Sequence, residues 1–315
     1  MSKSTISTFR LFELFPNEET ARTYLEGRIW PSGPVCPDCY GDRITTRKRV
    51  GFYHCNDCNF DFTVRTGTIF ERSKVPLHKW VYAMYLLVTA RKGISSLQLS
   101  KEIGVTQKTA WFILGRLREA CSAPDSIDRL KGIVEIDECF VGGLEANKHE
   151  HKKLKAGRGS VGKVAVLGMR ERGVLGRVHA TVIPDTGLAT IQNEIHGAVE
   201  VGSQLYTDEH GAYSDLDGLY YDHATVNHGA GEYVRGAAHT NGIESVWAVL
   251  KRGLHGVYHH ASPKHLFRYV DEFTWRLNEG NVIHHTLYRL AAFVDATVGK
   301  RLTYERLIAP VEVKA

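Results

Sequence analysis

The spacing of apolar and polar residues changes character along the chain. Residues 43–66 hold three short runs, RITTRKR, VGFYHC and FDFTVRT, rich in β-branched and aromatic residues and closed by a turn at Gly67. Such runs predict short strands. HKWVYAMYLLVTA, His78 to about Ala90, is apolar almost all round and predicts a buried helix. SSLQLSKEIGVTQKTAWFILGRLREA then divides into two helices, about 95–103 and 107–120, joined at Gly104 and Val105. Ser95 or Ser96 is placed to cap the first, and Thr106 the second.

After a polar linker at 121–130 the pattern turns to strands. KGIVEIDECFVGG predicts one, KVAVLGMRERGVLGRVHATVIP two around a charged turn, and SQLYTDEHGAYSDL another that ends at Asp208. TGLATIQNEIHGAV reads as a helix, as does HTNGIESVWAVLKRG, whose apolar stripe is Ile243, Val246, Trp247, Val249 and Leu250. Phe267, Tyr269, Phe273 and Trp275 also have helical spacing and read as core. Four segments follow: 1–75 with an N-terminal helix and the short strands, 76–125 with the paired helices, an α/β domain at 130–290, and a tail at 291–315.

A chain of 315 residues is long enough for more than one folding unit. No apolar run approaches the roughly 20 residues of a membrane span, and the N-terminus has no apolar signal region. The expectation is a soluble, cytoplasmic chain with no membrane partner. The net charge of +5 is uneven, with basic stretches at 45–50, 148–163 and 251–252, which points to a polyanionic partner. In the basic segment 147–163, Lys152, Lys153 and Arg158 are candidate phosphate contacts; a solvated loop accounts for the same composition.

Cysteine spacing adds a specific signal. Cys36, Cys39, Cys55 and Cys58 form C-x2-C-x15-C-x2-C, which lets two turns place four thiolates tetrahedrally around Zn²⁺. With the strands between them this is a zinc ribbon, whose metal supplies folding energy. Ribbons bind DNA, RNA or protein, and Arg47, Lys48 and Arg49 favour nucleic acid. The two helices after it, joined by a glycine turn, fit a helix-turn-helix, in which Thr106, Gln107, Lys108 and Thr109 would meet DNA. A plain helical hairpin has the same pattern.

Three acids stand at comparable points of the α/β segment. Asp137 lies on the first strand, Asp208 ends a later strand, and Glu244 lies on the helix after it. Strand Asp, strand Asp, helix Glu is the layout of ribonuclease-H-like nucleotidyl transferases. Two Mg²⁺ or Mn²⁺ ions about 4 Å apart activate a water or 3′-hydroxyl and stabilise the leaving oxygen, and hard cations of this kind take carboxylates. Asp137 would bridge, with Asp208 and Glu244 holding one ion each. Glu135 shares a strand face with Asp137, whereas Glu138 is expected to point away. His239 is a weaker active-site candidate.

EIDECFVGG, the basic gap with NKH and GRGSVGK, LYTDEHGAY and HTNGIESVWAVLKRGLHGVYHH together resemble insertion-sequence transposases of the zinc-ribbon plus DDE type, the ISXO-like group, from residue 36 to about 280. The resemblance implies an enzyme that cuts the ends of a mobile element and joins them to target DNA with a divalent metal. It implies a ribonuclease-H-like catalytic domain with Asp137, Asp208 and Glu244 as its acids, and a homo-oligomer acting on double-stranded DNA at the nucleoid. Lys251 matches the Lys that follows the last acid, two helical turns on, where it and Arg252 would meet phosphate. Asn241, one turn before Glu244, is given a supporting role.

Overall fold

The computed structural model describes residues 5–122, 128–143, 147–154, 159–173, 176–226 and 238–309. The chain divides into two compact units, Met1–Ser122 with Glu279–Ala315, and Ala123–Asn278.

In the first unit, α1 (Thr8–Leu14) and α2 (Glu18–Ile29) precede β1 (Ile44–Thr46), β2 (Tyr53–Cys55) and β3 (Asp61–Phe62), a three-stranded antiparallel sheet. Its core is Cys36, Tyr53, Cys55 and Phe62, with the Trp30 ring edge-on to Tyr53 and Phe62. A core this small needs a further tie. The next helix, α3 (Leu77–Thr89), is buried on most sides, as its apolar sequence requires. α4 (Ser96–Ile103) and α5 (Gln107–Cys121) follow. The Ser95 hydroxyl accepts from the Gln98 N–H at 3.1 Å and the Thr106 hydroxyl from the Thr109 N–H at 3.1 Å, so each helix starts on a side-chain cap. Between them Gly104, at φ 62°, takes the left-handed conformation that a Cβ disfavours.

The second unit is built on a five-stranded mixed sheet. Its strands are β4 (Ile133–Val141), β5 (Val164–Glu171), β6 (Val178–Ile183), β7 (Gln204–Thr207) and β8 (Asp222–Thr225), in spatial order β6-β5-β4-β7-β8. The β4–β5 and β5–β6 pairs are antiparallel, and β4–β7 and β7–β8 are parallel. Between β6 and β7 runs α6 (Leu188–Ala198), and after β8 come α7 (Asn241–Gly253) and α8 (Pro263–Leu277). Alternation along β4 sorts its side chains. Val134 and Ile136 join the core that includes Ile191 and Ile195 of α6, whereas Cys139 joins Ile243, Trp247 and Leu250 of α7 and Phe273 of α8.

The last two helices, α9 (Thr286–Asp295) and α10 (Tyr304–Ile308), belong to the first unit, α9 lying against α2 and α3 and α10 against α5. Buried Arg289 donates to the carbonyls of Val88 and His284, and buried Arg116 of α5 to those of Ile69, Glu71 and Leu302. By spacing alone 130–290 reads as one domain with a tail after it, but the second unit ends at Asn278. Amphipathic spacing marks a buried face without saying which unit covers it. No helix among the described residues is long and apolar enough to cross a membrane.

Candidate functional site

The β4–β7 ladder ends at Glu135↔Tyr206, and the same register carried two residues further puts Asp208 opposite Asp137. Here Asp137, Glu138 and Asp208 each offer a carboxylate oxygen, all within 4.8 Å of one another. Asp137 arrives from the α7 face and its Oδ2 accepts from the Trp247 indole N–H at 3.0 Å. Asp208 sits in the turn after β7, where its Oδ1 accepts from the His210 N–H at 3.0 Å. The fully buried Thr207 hydroxyl donates to the Asp208 carbonyl at 2.8 Å and meets His223 Nε2 at 2.9 Å, which fixes that turn.

Glu138 differs from its sequence expectation. It leaves β4 on the opposite face, beside the buried Tyr213 hydroxyl, yet its carboxylate reaches the same cluster. Alternation separates side chains while a neighbouring strand continues; once the β7 ladder stops, residues of both faces converge on the gap. Trp247, read from spacing as core, is buried and also positions Asp137. A signal for it was present, because a buried indole N–H ordinarily finds an acceptor.

Burial pushes Asp137 up to about 6, with the Asp208 and Glu244 charges adding and the Trp247 hydrogen bond opposing. Burial likewise raises Glu138 to about 7, together with Asp208 and Asp137 and against the pull of Tyr213. Glu138 Oε1 is buried without a hydrogen-bond partner among the described residues. Crowded like charges, desolvation and an unpartnered oxygen are all relieved by one divalent cation, and an all-oxygen donor set suits Mg²⁺ or Mn²⁺. Asp137, Glu138 and Asp208 fit such an ion.

Glu244 lies outside that set of close oxygens. It is exposed on the first turn of α7, accepts from the Thr240 hydroxyl at 3.2 Å, and faces Asp137 closely enough for its charge to be felt there. Lys251, exposed two turns on, reaches the buried Cys139 thiol. Asn241 and Arg252 are exposed on the same helix, and His239 Nδ1 stands 3.3 Å from Glu135 Oε1. Lys153 pairs with Glu150 at 2.8 Å. Lys152 lies in the single turn Glu150–Lys152, and Arg158 is outside the described residues.

In the first unit, Cys36 and Cys58 sulfurs are 3.7 Å apart, Cys39 and Cys55 sulfurs 3.6 Å, and all four fall within 4.8 Å. Tetrahedral zinc with Zn–S of about 2.3 Å requires sulfurs about 3.8 Å apart, so the donor set fits structural zinc. At the start of α5, Thr106, Gln107 and Lys108 are exposed and Thr109 is half-buried. Thr106 and Thr109 hydroxyls meet at 2.9 Å, Gln107 donates to Ser96 Oγ at 2.8 Å, and the Lys108 ammonium lies 4.8 Å from the Tyr304 ring centroid.

The sulfur knuckle and the acidic sheet edge, each in its own unit, are two donor sets that fit metal ions, one thiolate and one carboxylate. Residues 129–278 match the ISXO2-like transposase domain, and residues 16–60 the transposase zinc-ribbon domain. A protein of Halobacterium salinarum, described as an uncharacterized protein in transposable element ISH50, is 32% identical over 255 residues, covering 76% of this chain and 84% of its own. An uncharacterized transposase-like protein of Haemophilus influenzae is 28% identical over 106 residues, 34% of this chain and 85% of its own. A cryo-EM structure of a simian T-cell lymphotropic virus intasome with the PP2A subunit B56 gamma shares 16% identity over 64% of this chain and 65% of that one, at a TM-score of 0.27, too low to bear on the fold. The chain belongs to the ISXO2-like transposase family with a zinc ribbon. Membership implies DNA as the partner.

Proposed function

We propose that this protein is an active DDE-type transposase: it binds the ends of its element, hydrolyses the phosphodiester there and joins the freed 3′ end to target DNA. The observation that carries the reading is the convergence of Asp137, Glu138 and Asp208 at one sheet edge, with Glu244 facing Asp137. The strand order β6-β5-β4-β7-β8, with antiparallel pairs on one side of β4 and parallel pairs on the other, supports a ribonuclease-H-like fold for this unit. Asp137, Glu138 and Asp208 hold the divalent metal, and Glu244 completes the site from α7. The bound metal supplies polarisation of the attacking oxygen and stabilises the leaving one. Trp247 orients Asp137, and Lys251 with Arg252 offers charge to phosphate from the far end of the helix.

In the first unit, α4 and α5 serve as a helix-turn-helix, with the exposed Thr106, Gln107 and Lys108 meeting the groove beside the zinc ribbon. Lys152, Lys153 and Arg158 contact phosphate. Bringing two ends together calls for a homo-oligomer on the nucleoid.

The test uses purified protein, Mg²⁺ or Mn²⁺, labelled DNA carrying the element's own ends, and a target plasmid. Strand-transfer products are expected. Cleavage without joining would make it a nuclease, and binding alone a regulator. Asp137→Ala, Asp208→Ala and Glu244→Ala should each lower cleavage on the order of 10³-fold; intact cleavage in all three would remove the site assignment.

A further inference from the structure

Glu135 stands next to the metal-site residues but faces a different partner. It is 2% exposed, and its Oε2 accepts from the Ile243 N–H at 3.0 Å, at the start of α7. The residue in the N-cap position, Thr240, makes no side-chain capping bond, so this carboxylate caps α7 from β4. Its charge is compensated by Arg172, whose Nε donates to Oε1 at 2.7 Å, with His239 Nδ1 3.3 Å away. Arg172 also donates to the His239 carbonyl at 2.8 Å and lies 4.5 Å from the Tyr206 ring centroid. The fit is close: a Cβ on Gly242 would stand 2.6 Å from the Glu135 carboxylate.

Two residues along the same strand face, Asp137 receives Trp247, four residues along α7 from Ile243. Two strand residues span about 6.6 Å and four helical residues about 6 Å, so the two contacts match in pitch. Together they fix both the height and the rotation of α7 over β4.

We infer that Glu135 is a positioning residue for the metal site: it caps α7 and sets the register that brings Trp247 and Glu244 to Asp137. This rests on the reading of Asp137, Glu138 and Asp208 as a metal site. It assigns a buried acid that takes no part in the chemistry.

Terbium, a hard ion with a preference for oxygen ligands, is the probe. Bound at the cluster, it is sensitised by Trp247, and the share of emission lost in Trp247→Phe is the signal read. The full-length chain is titrated as wild type, Glu135→Gln and Glu135→Ala, with circular dichroism recorded alongside. Glu135→Gln keeps the volume and one acceptor but sets an amide against Arg172. It is expected to bind Tb³⁺ about tenfold more weakly and to emit less at saturation, while remaining folded at the titration temperature. Glu135→Ala should lose more; if it does not fold, Glu135→Gln alone is read. A residue that only stabilised the unit would lower the melting temperature without changing emission per bound ion. Unchanged affinity and saturating emission in folded Glu135→Gln overturn the inference. Absence of Trp247-sensitised emission in wild type instead overturns the metal-site reading beneath it.

Discussion

Asp137 and Glu138 have carboxyl values raised by burial to about 6 and 7, above the ordinary range near 4. Each therefore holds its proton to higher pH in the folded, metal-free unit than in the unfolded chain. The folded state binds more protons than the unfolded one between about pH 4 and 7, so metal-free stability falls as pH rises through that window. A divalent cation removes the penalty but must displace those protons at low pH. The gain in melting temperature on adding Mn²⁺ is expected to be larger at pH 8 than at pH 5, and a calorimetric scan at each pH measures it. A gain independent of pH would sink the assignment of these acids as ligands. Glu138→Gln should weaken Mn²⁺ binding about 10- to 100-fold by isothermal titration, because it replaces one of three clustered carboxylates by a neutral amide. Asp137 and Asp208 were visible in the sequence as candidates, the one an acid inside an apolar strand pattern and the other the residue that ends one. Glu138 was not, because strict alternation presumes a neighbouring strand, and which strand stops where is a tertiary fact.

The pairing of β4, β5 and α7 is equally specific among elements. Gly168 of β5 stands opposite Asp137, and a Cβ there would lie 2.4 Å from the Trp247 ring and 2.9 Å from Ile243. The absence of a side chain lets α7 lie close enough for the indole to reach Asp137. Gly168→Ala is expected to destabilise the unit by about 1–3 kcal/mol, read as a lowered midpoint in urea. An unchanged midpoint would show that α7 has slack over the sheet. The helix itself was visible from its apolar stripe, as were the caps of α4 and α5 at Ser95 and Thr106. The cap of α7 was hidden, since it comes from a strand more than a hundred residues earlier.

At the scale of the whole molecule, the two candidate metal sites lie in different units. Zinc held by Cys36, Cys39, Cys55 and Cys58 would tie together a core of four buried residues too small to hold by hydrophobic contact alone. Removing it with a chelator, or by Cys36→Ser, is expected to unfold the ribbon and lower affinity for element ends more than tenfold in a gel-shift titration. The Mn²⁺-dependent melting of residues 123–278 should persist. Loss of both together would mean that the units do not behave as separate bodies. Cysteine spacing made the zinc site readable, whereas the return of residues 279–309 to the first unit left no local mark.

That return imposes an order on synthesis. Arg116 waits for the Leu302 carbonyl and Val88 for Arg289, both from the far end of the chain. As the polypeptide leaves the ribosome, the unit bearing the zinc ribbon is still open when the entire acidic unit has already emerged. A message broken after Asn278 would yield the acidic sheet together with a first unit that lacks its last two helices.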